Sequence, residues 1–115
     1  MRNTDENADY DRRQYQRMLD LIARYQEGEI VIRILVDNLD ALRQALTNPS
    51  KPWIERFEHL WGVLEDAYAV MLDNKETQLN PTLERIVDQA LVNLVPLIKN
   101  EVDLHDGRST SGNHN

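Results

Sequence analysis

The chain contains no cysteine, and this absence excludes several kinds of chemistry at once. Without thiols there is no disulfide framework, no thiolate metal site and no cysteine nucleophile. No apolar run approaches the roughly 20 residues that a membrane-spanning helix needs. The polar start, from Met1 to Glu6, also lacks the apolar region of a secretory signal. The sequence therefore predicts a cytoplasmic protein.

Catalytic and metal-binding motifs are also lacking. The four glycines are scattered, so there is no glycine-rich loop to hold a phosphate group. The Glu-x-x-His pair of di-metal helical bundles does not occur, because Glu58 and His59 are adjacent. Glu101 and His105 are four residues apart, but they form a single pair at a helix end. We interpret His59 as a partly exposed structural histidine, and we expect no enzymatic activity, no metal and no cofactor.

Basic residues are fewer than acidic ones. The chain has 13 basic against 20 acidic residues, which gives a net charge of −7 in 115 residues. Phosphate backbones and anionic lipids attract basic surfaces, so this balance disfavours nucleic-acid and membrane binding. It permits a basic protein partner. The length fits a single domain with one core.

Amphipathic helices explain most of the remaining pattern. The clearest follows Pro52, where apolar residues recur at helical spacing with carboxylates opposite: Trp53, Phe57, Leu60, Trp61, Leu64, Tyr68 and Met71. The same pattern predicts helices over 9–27, from 29 or 30 to 46, and from 81 to about 104. We expect disordered segments over 1–8 and 105–115, which lack periodicity, on either side of one domain over 9–104.

Several residues mark where these helices begin, end or bend. Gly28 is a natural stop for the first helix, since glycine accepts the left-handed conformation. Pro52 suits the first turn of the third, and Asn80 followed by Pro81 is a strong start for the fourth. Pro96 lies within the fourth helical pattern, where proline costs about 3 kcal/mol and kinks or loosens a helix.

The predicted fold class is all-α, an antiparallel four-helix bundle with short loops. Residues 30–36 are rich in β-branched side chains, but no second strand exists to pair with them, so we interpret them as helical. Trp53, Phe57 and Trp61 are expected to be large core residues.

The candidate binding residues are carboxylates on the second and third helices. Small residues, Gly62 and Ala69, lie between the acids of the third helix and leave a flat surface. One interpretation is a solvated face that keeps the protein soluble; the other is a docking face for a basic partner. The candidate residues are Asp37, Asp40, Glu58, Glu65 and Asp66.

Ile32 and Val36 widen the apolar stripe of the second helix beyond what one core face needs. If that helix is buried on two sides, both residues belong to the core. Otherwise they form an apolar patch suited to a homodimer. This patch is the basis of an alternative function, a structural homo-oligomer or assembly adaptor. A regulatory subunit of a larger enzyme is equally compatible with the sequence.

The segment from Leu21 to Ile30 reads Leu-Ile-Ala-Arg-Tyr-Gln-Glu-Gly-Glu-Ile, followed by a helix and then by the stretch from Trp53 to Tyr68. In these features, over residues 20–100, the chain resembles small bacterial all-helical immunity proteins of the colicin D immunity type. In such proteins, acidic residues occupy the basic active-site cleft of a nuclease toxin. The resemblance implies that the five candidate carboxylates have this role, in an immunity or antitoxin protein.

Overall fold

Four α-helices make up almost all of the computed structural model, which describes residues 2–105. They are α1 (Arg2–Gln26), α2 (Ile32–Ala45), α3 (Lys51–Asp73) and α4 (Pro81–Leu104). The described part of the chain contains no strand, so the prediction of an all-α bundle is confirmed. Of the predicted tail over 105–115, residues 106–115 lie outside the described residues.

The helices form a ring in which the backbone of each packs beside the backbones of two neighbours. α1 packs on α2 and α4, and α3 packs on α2 and α4, so α1 lies diagonally opposite α3. The loops over 27–31, 46–50 and 74–80 are short, which makes successive helices antiparallel. We call the end that holds loop 46–50 and the close of α4 the base. The opposite end, with loops 27–31 and 74–80, is the top.

Helix ends follow the local sequence. Gly28 adopts a left-handed φ of +80°, and the N–H of Glu29 donates to the carbonyl oxygen of Arg24 across the end of α1. The Ser50 hydroxyl caps α3 by accepting from the N–H of Trp53, and Asn80 Oδ1 caps α4 by accepting from the N–H of Leu83 at 2.9 Å. The predicted stop at Gly28 and cap at Asn80 are confirmed.

Two helix starts differ from the prediction. α1 begins at Arg2 and not at the predicted Asp9, so the helix includes residues 2–8. α2 begins at Ile32 rather than at Glu29 or Ile30, because the chain first completes the glycine turn that ends α1. α4 is helical through Pro96 as far as Leu104, with the proline ring on the exposed side.

The core runs along the axis of the bundle. Its fully enclosed side chains come from all four helices, and they include Phe57. Trp53 is also buried, and its ring stacks on that of Phe57 with centroids 5.0 Å apart. Trp61 is partly buried, and its indole N–H donates to the carbonyl oxygen of Val36 at 2.9 Å. Because an indole N–H needs a partner when it is covered, this bond joins α3 firmly to α2.

The apolar patch proposed for a homodimer does not exist. Ile32 and Val36 are only 5% and 4% exposed and belong to the core. The reason is the ring order, since α2 lies between α1 and α3 and is covered along both flanks. A stripe wider than one face is what a helix with two neighbours needs. The homo-oligomer alternative therefore loses the surface on which it depended.

Candidate protein-binding face on helices α2 and α3

A shared arginine brings acidic residues of two helices together. Arg43 of α2 lies 3.2 Å from a carboxylate oxygen of Asp40 and 3.4 Å from one of Glu58 on α3. All three side chains reach solvent, with Glu58 half exposed. The structure thus places Asp40 and Glu58 side by side across the groove between α2 and α3.

Asp37 extends this cluster along α2 toward the top. Its side chain is 63% exposed, and its nearest cation is Arg33, at 3.7 Å and one turn earlier. Exposed pairs of this kind contribute little to stability, because water solvates both ions well. The carboxylate of Asp37 is therefore accessible to another molecule.

Glu65 and Asp66 continue the cluster along α3. Both are exposed, and neither makes an ion pair within the described part of the chain. At about 100° per residue, Glu65 lies on the same side of α3 as Glu58, two turns further on. Asp66 lies farther round the helix. We call the five carboxylates at Asp37, Asp40, Glu58, Glu65 and Asp66 the acidic face.

The surface of the acidic face is recessed at its middle. Gly62 lies between Glu58 and Glu65, and a Cβ atom added at Gly62 meets nothing within 4 Å. Ala69 is exposed two turns later on the same side. The backbone of α3 is therefore approachable here by a side chain of another molecule.

Sequence reasoning missed the part played by Arg43. The spacing of Asp40 and Arg43, three residues apart on a helix, was available as a local signal. The contact with Glu58 depends on the register of α3 against α2, which the chain does not encode in any short motif. Without that contact the two acidic runs have no fixed relation to each other.

A second polar site at the base also escaped the sequence analysis. Asp11 of α1 is only 1% exposed, and its carboxylate accepts three hydrogen bonds from the loop between α2 and α3. The donors are the N–H of Thr47 at 2.9 Å, the hydroxyl of Thr47 at 3.0 Å and the N–H of Asn48 at 3.1 Å. Asp11 therefore fixes the loop that sets α2 against α3.

Titratable groups surround Asp11. Burial raises the pKa of Tyr15 above its ordinary value, and the nearby carboxylates of Glu101 and Asp11 raise it further. Burial also raises the pKa of Glu101, an effect that His105 opposes. The rings of Tyr15 and His105 are 5.5 Å apart, and His105 Nδ1 lies 2.7 Å from the carbonyl oxygen of Glu101.

The hydroxyl of Tyr15 is buried and has no hydrogen-bond partner among the described residues. A buried polar group without a partner costs its desolvation energy, so Tyr15→Phe is expected to raise the free energy of unfolding by about 1 kcal/mol. Urea denaturation followed by tryptophan fluorescence measures this change. A loss of stability in the phenylalanine variant would show that the hydroxyl is hydrogen-bonded in solution.

Among the side chains that the structure describes, those of residues 6–105, no group of three or more His, Asp and Glu is arranged to hold a metal ion. His59 is exposed on α3. Within the described residues, none of the four helices is both long enough and apolar enough to cross a membrane.

Comparison with known proteins found no match to a protein-family model, a curated protein or a solved structure.

Proposed function

We propose that this chain is a non-enzymatic binding protein of the immunity or antitoxin type, which neutralises a basic toxin by covering it with the acidic face. The observation that carries the proposal is the convergence of carboxylates from α2 and α3 on one accessible surface. The resemblance noted over residues 20–100 agrees with it in size, in helical class and in charge.

Charge supports the choice of partner. The acidic face presents five carboxylates against two guanidinium groups, those of Arg33 and Arg43. The ion pairs that these arginines make are exposed, so exchanging them for pairs with a partner's Lys or Arg has little energetic cost. Complementary charge of this kind increases association rates and excludes wrong partners more than it adds affinity.

The shape of α3 supports the same surface. Glycine in the middle of a helix costs about 1 kcal/mol relative to alanine, and no neighbour within the described chain requires a glycine at position 62. A partner that approaches the helix closely at this point supplies a reason for it. An arginine or lysine of the partner has room to lie over Gly62, between Glu58 and Glu65.

The acidic face is also held rigidly. The bond from Trp61 to the carbonyl of Val36 ties α3 to α2, and Arg43 ties Glu58 to Asp40. A surface that is ordered before binding loses less conformational entropy on binding, which increases affinity.

Two substitutions that disturb no ion pair test the proposal. Immobilised protein is used to capture partners from a cell extract at low salt, and a captured protein is purified and assayed as a toxin. Glu65→Lys with Asp66→Lys is expected to weaken its binding about 100-fold, because attraction becomes repulsion at two positions of the acidic face. Titration calorimetry at two salt concentrations measures the affinity, which is expected to fall as salt rises.

A matched control reverses two acids elsewhere. Asp20 and Glu27 are exposed and seven residues apart; Asp20 lies within α1, which is diagonally opposite α3, and Glu27 directly follows the last residue of α1. Asp20→Lys with Glu27→Lys changes the net charge equally and is expected to leave binding within about twofold. Gly62→Trp, a steric test, is expected to block binding while leaving the fold intact, because the position is open. Equal weakening by both double variants, or a captured protein that remains toxic in the complex, would refute the proposal.

A further inference from the structure

The top of the bundle contains a cavity that the acidic face does not explain. It has a volume of about 470 Å³, which lies within the range of small-molecule sites. Its lining is mixed: Ile30, Ile32 and Leu79 contribute apolar side chains, Tyr25 of α1 adds an aromatic ring, and polar residues contribute much of the rest. The apolar side chains and the aromatic ring can contact hydrocarbon parts of a ligand, and the polar residues suit a polar or charged group on the same ligand.

The charges around this cavity have a single sign. Glu84 and Asp88, one turn apart on α4, both line it, and no Lys, Arg or His does so among the described residues. Burial raises the pKa of Tyr25 to about 12, and the charges of Asp88 and Glu84 contribute to the rise. The phenol ring of Tyr25 and the two carboxylates therefore lie close together around the same cavity.

We propose that this cavity binds a small organic ammonium ion. The Tyr25 ring attracts a cation through its π-electrons, Glu84 and Asp88 balance the charge, and the isoleucine and leucine side chains contact the alkyl groups. A neutral ligand lacks the attraction between opposite charges, and an anion is repelled by the carboxylates. A metal ion gains nothing from the apolar side chains and finds only two carboxylates among the described residues.

This site is separate from the acidic face. The cavity involves α1, α4, the first residue of α2 and the two loops at the top, whereas the carboxylates of the acidic face lie farther along α2 and on α3. The proposal for the cavity can therefore be tested independently of the proposal for the acidic face, and variants of one site serve as controls for the other.

Binding is measured by heteronuclear NMR on the full chain. The probes are choline and n-butylammonium at constant chloride, and the uncharged carbon analogue of choline serves as the neutral control. At least one cation is expected to shift the amide signals of Gly28, Thr77 and Gln78, all cavity residues, along saturable curves. The neutral analogue is expected to bind at least about tenfold more weakly.

Charge-neutral variants then locate the site. Glu84→Gln with Asp88→Asn is expected to weaken cation binding about tenfold or more, whereas Glu65→Gln with Asp66→Asn, which removes the same charge from the acidic face, is expected to change it less than about twofold. Tyr25→Leu keeps an apolar side chain and is expected to weaken the cations but not the neutral analogue. Equal effects of the two double variants, equal binding of the neutral analogue, or no saturable binding of either cation would overturn the proposal.

Discussion

Replacing Asp11 by alanine is expected to lower the free energy of unfolding by about 3 kcal/mol or more, since bonds to a charged acceptor are strong and buried donors without partners are costly. The substitution leaves the donors of Thr47 and Asn48 without their acceptor. Urea denaturation at neutral pH measures the change.

Two further variants identify the cause. Asp11→Asn retains one carbonyl oxygen and is expected to lose about half as much stability as the alanine variant. Asp20→Ala removes an exposed acid from the same helix and is expected to change stability by less than about 0.5 kcal/mol. If Asp11→Ala behaved like Asp20→Ala, the carboxylate would not hold the loop in solution.

Phe57→Ala is expected to cost about 4 kcal/mol, because it removes a fully buried ring and leaves a cavity. The ring stacks on Trp53, whose indole N–H in turn donates to the carbonyl oxygen of Leu97 at 3.1 Å. Thermal and urea unfolding measure the loss. Leu72→Ala on the same helix, where the side chain is 51% exposed, is the control and is expected to cost less than about 0.5 kcal/mol.

The location of Phe57 makes this experiment informative about the acidic face. Phe57 is next to Glu58 in the chain, so loss of packing beneath α3 also loosens the acidic face above it. A folded Phe57→Ala variant is expected to bind a basic partner more weakly with all of its charges retained. A cost below about 1 kcal/mol would instead mean that the surrounding helices collapse onto the vacated space.

The fold was predictable because its signals are local. Helical periodicity depends on residues three and four apart, and each cap depends on a few neighbours, as with Gly28 and Asn80. The four helices and the burial of Trp53 and Phe57 follow from such short-range patterns. The burial of Ile32 and Val36 does not, because it depends on which helices flank α2.

The candidate site was predictable only in part. The acidic residues were visible in the sequence, but their relation across two helices depends on Arg43, which contacts Glu58 through the packing of α3 on α2. The role of Asp11 is harder still to predict from the sequence, since its hydrogen-bond donors lie 36 and 37 residues further along the chain. A buried carboxylate that binds a distant loop has the same local sequence context as a solvated one.

The ring order has a consequence for how the chain folds. Three of the four helix interfaces join helices that are neighbours in sequence, connected by the loops over 27–31, 46–50 and 74–80. Closing such short loops requires little ordering of the chain, and proteins dominated by local contacts fold quickly. Among the four helix interfaces, only that between α1 and α4 joins helices that are not neighbours in sequence. Formation of that interface closes the ring of four helices. It is the one helix interface that cannot form until the whole domain has been synthesised.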